Sequence, residues 1–149
     1  MRNRWRLAVI VLSIIALGGA LALAVIPAPK TPDIAGIPDL IMVDSPKPGD
    51  VISSSTVIVT GKARGTWYFE ASFPVVLTDW DGRIIAEAPA QAQGEWMTRD
   101  FVPFAVTLTF VKPVAGDPAA NRGFLILKKD NPSGEPAFDQ SVEIPVFFK

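Results

Sequence analysis

The chain of 149 residues contains no cysteine and no histidine. Without thiols it can form neither a disulfide nor a thiolate nucleophile. Without imidazole it has neither Ser–His catalysis nor the most common ligand of zinc and copper sites. The fold must therefore be stabilised by its apolar core alone. Because no other catalytic motif stands out either, the protein is predicted not to be an enzyme and to hold no metal and no cofactor.

Charge is missing from the 20 residues between Leu7 and Ile26. A helix of that length spans about 30 Å, the thickness of the hydrocarbon core of a bilayer. Arg2, Arg4 and Arg6 precede this run, so the positive-inside rule keeps the N-terminus in the cytoplasm and places the remainder outside. The predicted domains are a cytoplasmic segment 1–6, a single-pass signal anchor 7–26 in the cell membrane, a linker 27–39 and an extracytoplasmic domain 40–149.

Cleavage of the apolar segment is the alternative interpretation. Ala22-Leu23-Ala24 has the small-x-small form of a signal-peptidase site, and cleavage after Ala24 would release a secreted domain. The run is longer than the roughly 7–15 residues of a signal-peptide core, which favours a retained anchor. Residues 27–39 carry four prolines, which predicts an extended linker of up to about 40 Å.

A basic surface is also lacking. The chain has 14 basic and 15 acidic residues, and three of the basic ones precede the apolar run, so 11 basic and 15 acidic residues leave the rest at −4. A mildly acidic domain without a basic stripe binds nucleic acid poorly. No nucleic-acid partner is therefore predicted.

Beyond residue 40, short segments of alternating apolar and polar residues are separated by Gly, Pro, Asp and Asn. A period of two is typical of strands with one buried face. Seven strands are predicted, at Leu40–Val43, Thr56–Lys62, Trp67–Thr78, Arg83–Gln91, Phe101–Val111, Gly123–Lys129 and Ser141–Phe148. They indicate an all-β, immunoglobulin-like sandwich of two antiparallel sheets, preceded by one N-terminal transmembrane or signal helix. A short helical turn is a further expectation at Glu87–Gln93.

Aromatic and cationic side chains are the candidates for a binding surface. Aromatic rings can stack on sugars or anchor a protein partner, although they can also simply pack loops. Trp67 is expected in the core or at its edge. Arg122 could join other arginines in a site for an anionic envelope polymer, if the fold brings them together. The predicted binding residues are Tyr68, Trp80, Trp96, Arg64 and Arg99.

Two acidic positions have competing interpretations. Glu70 lies in an apolar stretch, where a carboxylate could be a buried acid or a ligand contact. It is predicted to be structural, either accepting hydrogen bonds from a loop or pairing with Arg64 or Arg99. The segment from Asp79 to Gly82 resembles the start of a calcium loop, but the remaining ligands are missing and Asp-Gly is a strong signal for a hairpin turn.

A second turn is predicted between the last two strands, at residues 131–134. Asn131 tolerates a left-handed backbone, Pro132 fixes φ, and Gly134 permits a positive φ. These three residues are therefore predicted to be structural.

Several segments of the β-rich part resemble one family. They are VTGKARG (59–65), WYFEASFPV (67–75), GEWM (94–97), FVPF (101–104) and DNPSGEP (130–136). They are similar to the immunoglobulin-like domain of bacterial spore-germination proteins, of the type associated with GerM. The resemblance implies a β-sandwich outside the bacterial membrane with a role in adhesion or envelope interaction. It implies no catalytic residue, and no GerM domain is expected among these residues.

The anchor, the strand pattern and the resemblance together predict a membrane-anchored interaction module of a bacterial cell envelope. Its partner would be a cell-wall polymer or an envelope protein. One alternative is a structural spacer or accessory subunit of an envelope complex. A more remote alternative is a glycan hydrolase whose carboxylates are drawn from Glu70, Asp79, Asp81 and Glu95.

Overall fold

The computed structural model describes residues 37, 39–113 and 121–149. The predicted cytoplasmic segment 1–6, the anchor 7–26, the cleavage site after Ala24 and most of the linker 27–39 lie outside the described residues. Among the described residues, none belongs to a helix that is long and apolar enough to cross a membrane.

The described part of the chain is all-β. Its two short 3-10 helices are Gly65–Trp67 and Pro136–Phe138. Its eight strands are β1 (Ile41–Ser45), β2 (Val51–Ile52), β3 (Thr56–Arg64), β4 (Ser72–Asp79), β5 (Ile84–Ala92), β6 (Phe101–Thr109), β7 (Arg122–Lys128) and β8 (Ser141–Phe148).

All eight strands belong to one sheet, in the order β1-β3-β6-β5-β4-β7-β8-β2. Every pairing is antiparallel except that of β2 with β8. The prediction of two separate sheets is corrected by β5, which pairs with both β4 and β6 and so joins the two halves.

The sheet curls so that one face encloses the core. The ring centroids of Phe110, directly after β6, and Phe148 of β8 lie 5.6 Å apart, although β5, β4 and β7 lie between β6 and β8 in the sheet. Phe73 of β4 packs edge-on against Phe104 of β6 at 5.0 Å. The strict alternation of buried and outward residues in β3, β6, β7 and β8 follows from the period-two pattern of the sequence.

Three details of the strand prediction are wrong. There are eight strands rather than seven, because Val51–Ile52 pairs with the end of β8. The third predicted strand begins at Ser72, not at Trp67. Glu87–Gln93 forms no helical turn, since Glu87–Ala92 lies in β5.

The late start of β4 comes from a tight turn at Glu70 and Ala71. Both residues have positive φ, 51° and 62°. Phe69 and Ser72 exchange two backbone hydrogen bonds across them, at 3.0 and 3.1 Å. This is the geometry of a two-residue hairpin turn, which normally carries Asn-Gly because Gly has no Cβ and Asn tolerates the left-handed region better than most residues.

Replacing Ala71 with glycine is expected to raise the free energy of unfolding by about 1 kcal/mol. The substitution relieves the left-handed strain, which exceeds the entropy that glycine adds to the unfolded chain. The matched control is Ala88→Gly in the middle of β5, which should lower the free energy of unfolding by about 0.5–1 kcal/mol. Urea unfolding followed by tryptophan fluorescence measures both; destabilisation by Ala71→Gly would contradict the turn geometry.

Asp79, which is only 5% exposed, organises the β4–β5 hairpin. Its Oδ1 accepts hydrogen bonds from the backbone N–H groups of Asp81 and Arg83, at 3.1 and 2.9 Å, and its Oδ2 accepts from Arg83 Nε at 3.1 Å. Gly82 has a φ of +79°. The predicted hairpin turn therefore accounts for this segment. Both carboxylate oxygens of Asp79 accept hydrogen bonds from the turn, which is the structural role and not that of a calcium ligand.

Asp79→Ala should lower the free energy of unfolding by about 2 kcal/mol, because three hydrogen bonds to a mostly buried carboxylate are lost. Arg83→Ala should cost only about 0.5 kcal/mol, because the arginine side chain is 75% exposed. Denaturant unfolding of the two variants separates the contributions. Equal losses would show that the ion pair, and not the turn, holds the hairpin.

Candidate functional site

The loops at one end of the sheet form an open depression. At this end, called the Trp96 end, β3, β5 and β7 finish and β4, β6 and β8 begin. The volume of the depression is about 460 Å³, and its lining consists of Gly65, Thr66, Tyr68, Trp96, Met97, Thr98 and Arg99. Three of the five predicted binding residues, Tyr68, Trp96 and Arg99, therefore line a common surface.

The wall of the depression is a loop between β5 and β6 that local hydrogen bonds hold in shape. Glu95 Oε1 accepts a bond from the N–H of Met97 at 3.0 Å, and the N–H of Thr98 donates to the carbonyl of Trp96 at 2.8 Å. The Asp100 N–H donates to Thr98 Oγ1 at 3.2 Å. The loop is therefore pre-organised, which reduces the entropy lost when a ligand binds.

The floor depends on Gly65, which begins the 3-10 turn after β3. A Cβ at this position would collide with the backbone carbonyls of Trp96 and Thr98. The Gly65 N–H also donates to the carbonyl of Asp100 at 3.2 Å. Only glycine allows the two backbones to approach this closely.

Arg64 fixes the loop from the side. Its Nη1 donates to the carbonyl of Arg99 at 3.2 Å, its Nε donates to the carbonyl of Asp39 at 3.0 Å, and its guanidinium lies 4.1 Å from the ring centroid of Phe101. Arg64 thus has a structural task, while the side chain of Arg99 is exposed. Arg122 begins β7 at the opposite end of the sheet, so the three arginines form no single cluster.

The aromatic residues differ in their availability. Trp67 is 1% exposed and packs edge-on against Phe73, as a core residue does. Trp96 is half-buried and its partly exposed ring faces the depression. Trp80 is 51% exposed but lies in the β4–β5 hairpin, at the other end of the sheet, and so it does not join this surface.

Tyr68 is committed to the core. It is 5% exposed, and its hydroxyl donates to the carbonyl of Val102 at 2.7 Å. Burial raises the pKa of the Tyr68 hydroxyl to about 12. A backbone hydrogen bond with Ala63 opposes part of this shift. The ring forms part of the base of the depression and offers little surface to a ligand.

Tyr68 is the single tyrosine of the chain, so tyrosinate absorbance near 295 nm reports it alone. The native protein should titrate near pH 12, and the unfolded chain near pH 10. The Tyr68 hydroxyl loses its proton at a lower pH in the unfolded chain than in the native protein. Its contribution to the free energy of unfolding is therefore intact below pH 10 and falls between pH 10 and 12, by about 1.4 kcal/mol per pH unit. Tyr68→Phe should lack this part of the alkaline loss; a native midpoint near 10 would contradict the burial.

Four residues that line the depression, Gly65, Thr66, Met97 and Thr98, are not among the predicted binding residues, and neither is the exposed Phe69 in the loop between β3 and β4. Met97 is 75% exposed and Phe69 is 43% exposed, and both lie at the Trp96 end. An apolar Met97 among polar turn residues was the available signal for this loop. For Phe69 there was none, because the turn at Glu70 and Ala71 was read as continuous strand.

The predicted acidic and turn residues lie in loops of the described part of the chain. Glu70 is exposed in its turn, and among the described residues it makes no ion pair with Arg64 or Arg99. Asn131 Nδ2 donates to the carbonyl of Glu135 at 2.9 Å and to Asp139 Oδ1 at 2.8 Å. The turn closes at Gly134, with a φ of +69°, after the exposed Pro132. The described residues contain no group of three acidic side chains that could hold a metal ion.

The described residues form an immunoglobulin-like domain with an open depression among the loops at one end. A family model for the Gmad2 domain, the immunoglobulin-like domain of bacterial spore germination, matches residues 40–127, and the chain belongs to that family. The resemblance seen in the sequence is therefore confirmed. No curated protein matches the chain.

Proposed function

We propose that the protein is a non-catalytic interaction module of a bacterial cell envelope, held outside the cytoplasm by residues 7–26, and that it binds a partner protein through the depression at the Trp96 end. The observation that carries this proposal is the composition of the depression. An exposed Met97, a half-buried Trp96 and an exposed Arg99 lie on one pre-organised loop. Methionine, tryptophan and arginine are the residues enriched at protein–protein interfaces.

The position of the depression also favours a partner near the membrane. Asp39, where the predicted linker ends, accepts a hydrogen bond from Arg64 Nε at 3.0 Å, so the chain enters the domain at the Trp96 end. The predicted linker reaches at most about 40 Å. The depression therefore lies at the end of the domain at which the chain enters it.

Site-specific photo-crosslinking in the full chain tests the proposal. A photoreactive residue at Met97 should give one discrete adduct with an envelope protein, whereas the same residue at Trp80, which is 51% exposed at the opposite end of the sheet, should give none. Arg99→Ala should reduce the Met97 adduct several-fold. Adducts of equal yield at both positions would contradict the proposal. Crosslinking to cell-wall polymer instead would replace the protein partner by a glycan.

The tether is tested separately by intact mass. A retained anchor predicts a membrane-bound chain that keeps residues 1–24. Cleavage after Ala24 predicts a shorter chain that begins at Val25 and remains soluble after cell disruption. The second result would remove the anchor from the proposal, and the binding surface would be tested on the secreted form.

A further inference from the structure

The first half of β8 has a backbone edge that points away from its neighbour β7. The N–H of Lys129 donates to the carbonyl of Gln140 at 2.8 Å, which fixes the phase of the β7–β8 ladder. Bonded and non-bonded pairs alternate along an antiparallel ladder, so Val142 bonds to β7. The backbone N–H and C=O groups of Ser141 and Glu143 therefore point to the other side.

On that other side, only the second half of β8 is covered by described residues. The carbonyl of Pro145 accepts a hydrogen bond from the N–H of Gly49 at 2.8 Å, and β2 runs beside the end of β8. No described residue bonds to the outward backbone groups of Ser141 or Glu143, and both residues are exposed. Two N–H and two C=O groups at the spacing of a strand are the pattern to which a further β-strand bonds.

An apolar slot opens beside this edge, between β8 and β1. Its volume is about 270 Å³, and its lining includes Ile41 and Val43 of β1 and Val142 and Ile144 of β8. Paired residues of neighbouring strands turn their side chains to the same face of a sheet. A strand added to β8 would therefore place the side chains opposite Val142 and Ile144 in the slot.

The facing edge of β1 is less open than that of β8. The carbonyl of Val43 accepts a hydrogen bond from Lys47 Nζ at 2.8 Å, and the N–H of Ile41 donates to the carbonyl of Ile37 at 3.0 Å. A lysine at a strand edge is a common protection against strand addition. The edge of β8 is therefore the one that can accept a strand here.

The charge of Glu143 favours one kind of strand over a second copy of this chain. Its side chain is exposed on the outer face of β8. If two copies paired antiparallel about residue 142 or residue 143, their Glu143 side chains would lie diagonal or directly opposite, and like charges there are destabilising. A strand with a basic residue opposite Glu143 gains an attractive pair instead.

We propose that residues 141–143 of β8 bind an extended peptide segment of a partner protein by antiparallel strand addition. An apolar side chain of the segment occupies the slot, and a basic side chain lies opposite Glu143. The backbone groups of Ser141 and Glu143 allow at most four hydrogen bonds, so the complex is reversible. This site shares no lining residue with the depression at the Trp96 end and does not depend on the function proposed for it.

Calorimetric titration of the full chain with synthetic peptides tests the proposal. The probe is a short peptide of alternating valine and lysine with blocked ends. Its lysines lie opposite Glu143 and bond to the edge, so methylation of the lysine backbone nitrogens should weaken binding at least about ten-fold. Methylation of the valine nitrogens, which face away from β8, should have little effect. Alanine in place of valine, or glutamate in place of lysine, should weaken binding several-fold.

Glu143→Pro removes the edge donor without removing a bond to β7. Pro145 already occupies the equivalent phase of β8, so the variant should unfold in urea like the unchanged chain. It should bind the valine–lysine peptide at least about ten-fold more weakly. Glu143→Lys should reverse the charge preference, so that the glutamate peptide binds more tightly than the lysine peptide.

Three results would overturn the proposal: no binding of the valine–lysine peptide, equal binding of the two methylated peptides, or binding that ignores both changes at position 143. The methylated peptides decide the matter on the unchanged chain even if Glu143→Pro does not fold. A dimer that forms without peptide and is lost in Glu143→Lys would show that a second copy occupies the edge, and it would also overturn the proposal.

Discussion

Replacing Gly65 with alanine is expected to destabilise the domain by about 3 kcal/mol and to abolish binding at the Trp96 end. The new methyl group would collide with the carbonyls of Trp96 and Thr98, which are backbone atoms and cannot rotate away. Overpacking against a fixed backbone typically costs 1–3 kcal/mol, so about 3 is its upper range. The loop must shift by an ångström or more, which also breaks the bond from the Gly65 N–H to the carbonyl of Asp100.

The matched control is the next residue, Thr66→Ala. Thr66 lines the same depression but is exposed, so the change should alter stability by less than about 0.5 kcal/mol. Urea unfolding and the Met97 crosslinking yield are measured on both variants. If Gly65→Ala unfolds like the unchanged protein, the close approach of the two backbones is not a constraint. If it is destabilised but keeps full crosslinking, the depression is not the binding surface.

Replacing Phe104 with alanine is expected to lower the free energy of unfolding by about 4 kcal/mol. Phe104 is 2% exposed and packs edge-on against Phe73, which in turn contacts Trp67 and Tyr68. This aromatic group joins β6 to β4 across the curled sheet and lies under the depression. A loss of that size is a large part of the 5–15 kcal/mol that stabilises a typical domain, and no disulfide compensates for it.

The control for Phe104 is Phe138→Ala, which removes the same side chain from a position that is 56% exposed. It should change stability by less than about 0.5 kcal/mol. The measurement is the midpoint and slope of urea unfolding. Similar losses for the two variants would show that the core does not depend on the aromatic group around Phe73.

The strand pattern was readable from the sequence where one face of a strand is buried. In β6 and β8 the alternation is complete, and the predicted segments match the strands to within two residues. Prediction failed where local chemistry and tertiary pairing disagree. The predicted strand Arg83–Gln91 matches β5, but the additional helical turn at Glu87–Gln93 was wrong, because pairing with β4 holds residues that include the helix-favouring Ala, Glu and Gln extended. Neither Glu70 nor Ala71 is a typical turn residue, so a turn at this position could not be predicted.

The candidate site was predictable only in part. Trp96 and Arg99 could be chosen because aromatic and cationic residues in turns often bind partners. Their meeting with Gly65 could not be derived, since it brings together residues about 30 positions apart through the pairing of β3 with β6. For the same reason the sequence could not show that Trp80 lies at the opposite end, or that Tyr68 is buried beneath the depression.

The Trp96 end is the surface that we propose binds an envelope protein. The most direct test compares Met97→Ala and Trp96→Ala with Trp80→Ala in the full chain, by quantitative co-isolation of the partner that the Met97 crosslink identifies. Met97→Ala, at an exposed side chain that stability does not need, should reduce co-isolation at least about ten-fold, as a residue at the centre of an interface does. Trp96→Ala should do the same, and Trp80→Ala should leave it unchanged. If co-isolation of the partner is lost with Trp80→Ala and fully retained with Met97→Ala, the Trp96 end is not the binding surface.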